Sequence, residues 1–313
     1  MRQGALPSLV FEDENHNILG FLAVATRRFA IGGKLIQAAV SSQFVVHTQA
    51  RSNLVAVALL RHFLQGPQDF SFTDEANEAS QSLWEKMEGS TAPMYSTHWI
   101  APLRPAKLFL SRVQPRLGSF SAVVVPAADF MDAVVSRIPY RGRPRPQPNL
   151  QMESLSTKAL VELMAEPLND ALLRPLYDVR SLDRLLDDVS RKKTDGAFQR
   201  ILLRGLDGKT VGWYLYYVDC RGIAEVLQIG CCREYRREVI GHLFHHAARY
   251  GVAALAGRLE PQFSRALSDQ CCFLYPRKYS MLIHSRDPQI VKAIQSGRAF
   301  ISRLEGEWCL RFD

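Results

Sequence analysis

The chain has 313 residues, 47% of them hydrophobic and 22% charged, which argues for sizeable packed cores and against a disordered protein. No apolar run reaches the ~20 residues that span a bilayer, and the start, MRQGALPSLVFEDENHN, lacks the apolar stretch of a secretory leader, so a cytoplasmic protein with no membrane segment is expected. The net charge of +8 favours anionic partners, a nucleotide phosphate tail as much as nucleic acid.

In chain order, LVFEDENHNILGFLAV (9–24) reads as a hairpin: a strand, a turn of Asp and Asn, and a strand opened by Gly20 and Phe21. SSQFVVHTQARSNLVAVALLRHFL (41–64) begins as a strand and ends as a helix, with Arg51, Ser52 and Asn53 where the chain must turn. DFSFTD (69–74) is a further strand, and EANEASQSLWEKM is a helix. The middle region predicts helices at 126–138, 156–165 and 181–192. Within it, RGRPRPQP (141–148) alternates Arg with Pro and reads as a stiff linker, so no nucleic-acid partner is expected. ILLRGLDGKTVGWYLYYV (201–218) is a second hairpin, VAALAG (252–257) a strand, PQFSRALSDQ a helix, and LEGEWCLRF a closing strand that puts Trp308 in the core.

This order contains a repeat. With Gln43 laid over Gln228, QFVVHTQARSNLVAVALL aligns without a gap on QIGCCREYRREVIGHLFH; Arg51 meets Arg236, Leu54 meets Val239 and Ala56 meets Gly241. Upstream, the two hairpins align as well, with a shorter connection in the second copy. Each copy reads hairpin, strand, helix, strand, helix. The first begins almost at its hairpin, whereas the second is preceded by a strand and helices from about 150 to 200. The expected division is 1–106, a linker at 107–149, and 150–313.

A strand that feeds a helix through a tight turn aims the helix's unpaired N–H groups at one point, where they and the helix dipole suit a pyrophosphate. Arg51 adds a charge-assisted contact, while Ser52 or Asn53 can instead cap the helix. The repeat unit resembles the GNAT family, the Gcn5-related acyl-CoA N-acyltransferases. Their Arg/Gln-x-x-Gly-x-Gly/Ala motif is matched by Arg51-Ser52-Asn53-Leu54-Val55-Ala56, with Leu54 in place of the first Gly, and by Arg236 to Gly241, with Val239 there. The Asn…Tyr-Glu-Lys signature is echoed by Asn77…Trp84-Glu85-Lys86. The resemblance covers roughly 7–105 and 150–313 and implies an α/β (α+β) protein: two tandem mixed β-sheets flanked by helices, related by internal duplication.

The resemblance also implies acetyl-CoA as co-substrate, bound where two parallel strands part, with Phe44, Val45 and Val46 as backbone candidates, Arg51 to Ala56 at the phosphates, and Asn77 nearby. The acceptor it implies is a small-molecule amine or amino sugar. Glu225, at the start of the second copy's central strand, is the candidate base; Trp84 stands where a Tyr acid is common. No metal is expected: His242, His245 and His246 have ligand-like spacing but no supporting carboxylate pattern, and the six cysteines form no CxxC knuckle and read as reduced thiols. The truncated edge of the first copy can be covered by the 107–150 segment, by the second copy's sheet, which is the favoured cover, or by the second subunit of a homodimer. The alternative is a catalytically silent pair that binds a ligand or partner, and Leu54, Val239 and Trp84 point that way. Aminoacyl transfer of the Fem type would need a helical arm for tRNA, which the sequence does not show.

Overall fold

The computed structural model describes residues 7–48, 54–110, 147, 149–165, 171–192, 196–219 and 222–310. The turn residues Arg51, Ser52 and Asn53, the expected helix at 126–138 and residues 141–146 lie outside these.

The chain runs β1 (Leu9–Glu12), β2 (Ile18–Ile31), β3 (Lys34–Val46), α1 (Val55–Leu64), β4 (Phe70–Ala76), α2 (Glu78–Glu85), β5 (Ser90–Thr91), α3 (Pro93–Ser96) and β6 (Thr97–Pro102). It continues with β7 (Leu150–Ser154), α4 (Thr157–Ala165), β8 (Leu173–Leu176), α5 (Val179–Arg191), β9 (Ala197–Gly205), β10 (Thr210–Val218), β11 (Ile223–Cys231) and α6 (Arg236–Arg249). It closes with β12 (Ala254–Arg258), α7 (Ser264–Asp269), β13 (Phe273–Pro276), β14 (Ser280–Ser285), α8 (Pro288–Gln295) and a 3-10 turn at Glu307–Leu310. The two repeats predicted from sequence are present as two mixed sheets flanked by helices.

The compact units interleave instead of following one another. Unit 1 is 1–96, 170–178 and 276–313; unit 2 is 97–169 and 179–275. The consecutive division expected from sequence does not capture this because the last strand of each repeat is exchanged. β14, from the second repeat, pairs antiparallel with β4 in unit 1, and β6, from the first, pairs antiparallel with β12 in unit 2.

In unit 1 the order is β1-β2-β3-β4-β14-β5, with β8 also on β2. The sheet buries both faces. Phe29, Ala38, Val40, Phe70, Phe72 and Ile283 face α3, α8 and Ile301, while Leu22, Ala39 and Leu282 face α1 and Trp84 of α2. This is the period-2 alternation of a strand covered on both sides. β1 ends the path of this sheet, and β8, from the second copy, joins on the far end of β2. The β2–β3 hairpin has strands of 14 and 13 residues, against nine each in β10 and β11. The far end of β2 carries the pairs Arg28↔Leu176 to Ile31↔Leu173 with β8. The longer connection of the first copy is thus the part of the hairpin that binds a strand donated by the second.

In unit 2 the order is β13-β6-β12-β11-β10-β9-β7. Trp213, Tyr214, Leu215, Tyr216 and Tyr217 are all essentially inaccessible, so both faces of β10 are core. The expected closing strand at LEGEWCLRF is instead the 3-10 turn at Glu307–Leu310, in unit 1.

One glycine in each repeat explains how closely helix and sheet pack. A Cβ on Gly20 would stand 2.6 Å from Val55 and 2.8 Å from Leu59, and a Cβ on Gly212 would stand 2.7 Å from Val239. These are the glycines that opened the second strand of each hairpin in the sequence, and they let α1 and α6 lie directly on the backbone.

Candidate functional site

In both units the central strand runs parallel to its neighbour for only a few residues and then departs. In unit 1, β3 and β4 pair over Ala38↔Phe70, Ala39↔Ser71 and Val40↔Phe72. In unit 2, β11 and β12 pair from Ile223↔Ala254 to Val226↔Gly257. A bulge follows at once in each. The β2–β3 register slips between Phe21 and Ala23, with Gln43 at φ 47°, and the β10–β11 register slips between Leu215 and Tyr216. A bulge adds an unpaired residue and bends its strand, so it turns a parallel pair into a V-shaped opening.

The opening of unit 1 holds a carboxyl group. Glu307 accepts a hydrogen bond from Thr73 Oγ1 at 2.8 Å and another from the Gln43 main-chain N–H. Its own N–H donates to Asp74 Oδ1 at 2.7 Å. Burial, and then the neighbouring Asp74 carboxylate, push the Glu307 carboxyl up to about 7, against the smaller pull of its two hydrogen bonds. The side chain is half-buried, not sealed. Sequence reasoning missed Glu307 because its partners lie more than two hundred residues away, in a segment whose composition read as a strand.

The opening of unit 2 is closed differently. Glu260, buried at the end of β12, accepts the Ile229 N–H through Oε1 at 3.2 Å. Gln228 is fully buried and accepts from Trp213 Nε1 at 3.0 Å.

The two helix starts also differ. The N-cap of α1 is Leu54, at φ 58°, with no side-chain cap and no acidic residue in the first turn. Its backbone is left-handed, the conformation a glycine adopts freely. α6 begins after a 3-10 turn at Arg233–Tyr235 and carries Glu238 in its first turn. Val239 is not at the turn but inside the helix, fully buried. An acid at a helix N-terminus opposes an anion there; the first turn of α1 has none, whereas that of α6 carries Glu238 beside Arg236 and Arg237.

The structure brings most of the predicted cofactor residues together in unit 1. Phe44, Val45 and Val46 lie on β3 beyond the parallel pairing; Val45 is exposed, while Phe44 and Val46 pack on the α1 side. Val55 is core under Gly20, and Ala56 is half-buried on α1. Asn77 caps α2, its Oδ1 accepting from Ser80 N–H at 2.9 Å. Glu225 lies in unit 2, half-buried between Tyr217 and Ala256 in the paired part of β11, before the opening. Trp84 is buried, with its ring 6.1 Å from that of Phe63, so it is a core residue of α2.

The histidines of α6 also have structural partners. His242 Nδ1 and His246 Nδ1 hydrogen-bond the hydroxyls of Tyr214 and Tyr216 at 2.9 and 2.7 Å. Burial holds both imidazoles down at about 4. Among the described residues, no group of three or more His, Cys, Asp or Glu is placed to hold a metal ion, and no helix is long and apolar enough to cross a membrane.

Leu54 offers a direct test of the turn. A branched residue in the left-handed region costs roughly 1–2 kcal/mol. Leu54→Gly is therefore expected to leave the urea midpoint unchanged or to raise it, whereas Leu54→Val lowers it. Glycine lowering the unfolding free energy by the ~1 kcal/mol of a helix-interior site would show that Leu54 is not left-handed in solution.

No family model and no curated protein matches the sequence. Solved structures do. A GCN5-related N-acetyltransferase from Anabaena variabilis ATCC 29413 matches with a TM-score of 0.55 at 13% identity, over 89% of this chain and 62% of its own. One from Kribbella flavida matches with a TM-score of 0.51 at 11% identity, over 87% and 58%. A conserved protein of Enterococcus faecalis V583, described as a probable N-acyltransferase, matches with a TM-score of 0.54 at 10% identity, over 90% of this chain and 62% of its own. The chain thus spans about three fifths of the length of each. With two sheets that open beside a strand–helix turn, and these neighbours over nearly its whole length, the chain carries the fold of the GCN5-related N-acetyltransferases in two copies.

Proposed function

We propose that unit 1 is an acyl-CoA-dependent N-acyltransferase site that transfers an acyl group, acetyl in the simplest case, to the amine of a small molecule or amino sugar. The observation that carries this reading is the half-buried Glu307 carboxyl between the parted strands β3 and β4, poised near neutrality. Bound acyl-CoA would supply a thioester-activated acyl group. Leu54 and the first turn of α1 would receive its phosphates, and β3 from Phe44 to Val46 would line its arm. Glu307 would take the proton that the acceptor amine loses as its nitrogen bonds to the acyl carbon and the carbon–sulfur bond breaks. A base with this proton affinity is half-ionised near pH 7, where general-base efficiency is greatest.

Unit 2 differs in that its carboxyl, Glu260, is buried, whereas Glu307 is half-buried, so the transfer site is assigned to unit 1. A second reading, in which neither unit transfers an acyl group, is favoured by Trp84, since the buried indole supplies no acid for a leaving thiolate.

Calorimetric titration with acetyl-CoA separates the readings, followed by thiol release in the presence of amines and amino sugars. The expected result is one site per chain, and turnover with at least one acceptor class. Absence of binding at millimolar acetyl-CoA, in protein with a cooperative melting transition, would leave the silent pair as the better account.

A further inference from the structure

We propose that Asp74 is the positioning residue of this site, seating Glu307 between the parted strands through the Glu307 main-chain N–H and through its own negative charge. The inference deepens the acyl-transfer reading and takes its catalytic meaning from it. The contact itself is independent of that reading.

Asp74 is buried at the end of β4 with 6% of its surface exposed. Burying a carboxylate is costly unless it is hydrogen-bonded. Here one bond is the 2.7 Å contact from Glu307 N–H to Oδ1. The chain comes this close only because the preceding residue is glycine: a Cβ on Gly306 would stand 1.9 Å from Asp74 Oδ2. Gly306 is therefore required for close approach, not for an unusual backbone angle. Thr73, the residue before Asp74, holds Glu307 Oε2. Two adjacent side chains of one strand thus grip one residue of the C-terminal turn, Thr73 at the Glu307 side chain and Asp74 at the Glu307 main-chain N–H.

The groups packed around Glu307 can be named by element. β4 contributes Asp74 and Thr73, and β3 the Gln43 main chain. On Glu307's own segment, Glu305 is bonded by Ser302 and Tyr177, and the Arg303 guanidinium lies 5.8 Å from the Trp308 ring centre. Asp74 is the charged neighbour that raises the Glu307 carboxyl. A like charge at this range disfavours the ionised form, so Asp74 both fixes the Glu307 backbone and keeps its carboxyl protonated to a higher pH.

The test uses full-length protein and two variants. Asp74→Asn retains an acceptor for the Glu307 N–H and removes the charge; Asp74→Ala removes both. The Glu307 titration is followed by carboxyl carbon NMR, assigned by its loss in Glu307→Gln, and compared with the pH profile of kcat/KM for acyl transfer. In Asp74→Asn the Glu307 midpoint is expected to fall by about one pH unit, about tenfold in proton affinity, with the acidic limb of the kcat/KM profile moving the same way. In Asp74→Ala, kcat is expected to fall further while KM for acyl-CoA stays near the native value. An unmoved Glu307 midpoint in Asp74→Asn overturns the proposal, whatever the activity. A moved midpoint in a protein that transfers no acyl group sustains the pairing and removes the acyl-transfer reading. Should Asp74→Ala not fold, the Asp74→Asn titration decides.

Discussion

Replacing Glu307 by Gln is expected to reduce kcat for acyl transfer by about 10²–10⁴, the usual contribution of a general base, while raising the melting temperature at pH 8. The two effects come from one cause. Glutamine keeps an oxygen for Thr73 Oγ1 and the Gln43 N–H, so the turn remains seated. What it removes is an ionisable group whose folded-state proton affinity exceeds its unfolded one. In the native protein the Glu307 carboxyl titrates at about 7, against an ordinary value of 4.5. Between these values the folded state holds a proton that the unfolded state has lost, so stability falls as pH rises through the window. Above about pH 7 the ionised, half-buried carboxylate costs an order-of-magnitude 2–3 kcal/mol. The stability advantage of Glu307→Gln should thus be full at pH 8, shrink through neutrality and be small below about pH 4.5. Thermal denaturation of both proteins at pH 5 and 8 checks this. An advantage independent of pH would mean that the carboxyl is not held up in the folded protein, and its case as a base would fall with that result.

The histidine ladder of unit 2 acts in the opposite sense. His242 and His246 are held neutral down to about 4, against an ordinary 6.5, so the unfolded state binds more protons in that window and stability falls as pH drops. Comparing native and Glu307→Gln proteins at the same pH removes this background.

The elements built from local pattern were legible in the sequence. The hairpin signals at 9–24 and 201–218, the strand–helix passages after Gln43 and Gln228, and the helices at 156–165 and 181–192 all correspond to observed elements. Gly20 and Gly212 were visible as strand openers; that they receive α1 and α6 follows only from packing. What could not be read was long-range. Nothing local to Leu173–Leu176 says that it will extend β2, and nothing in LEGEWCLRF separates a closing strand from a turn whose acid reaches β4. The exchange of β6 and β14 is invisible to any repeat alignment, because each strand has the right pattern and sits in the other copy's sheet. Glu225 was chosen by position within its repeat, whereas the carboxyl found in an opening comes from a segment outside the repeat's aligned part.

The exchange makes a prediction of its own. The chain cut between Pro148 and Asn149 should yield two fragments that each lack cooperative unfolding, and that recover it when refolded together. The N-terminal fragment keeps β1 to β4 but loses β8, β14, α8 and Ile301. Phe29, Val40, Phe70 and Phe72 would then lose the cover of Leu173, Ile283, Ile290, Ile294 and Ile301, all buried in the intact protein. At about 1.5–3 kcal/mol for each large apolar side chain, that loss is comparable to the roughly 5–15 kcal/mol by which a domain is stable. The C-terminal fragment loses β6, and with it Trp99, whose ring stacks on Phe244 at 6.0 Å and whose Nε1 donates to the Arg258 carbonyl at 3.2 Å. It would also expose β12 as a new edge. Circular dichroism melts of each fragment and of the mixture read the outcome. A sharp melt from the N-terminal fragment alone would mean that β4 finds a partner without β14, and the two repeats would then be independent domains joined by a linker.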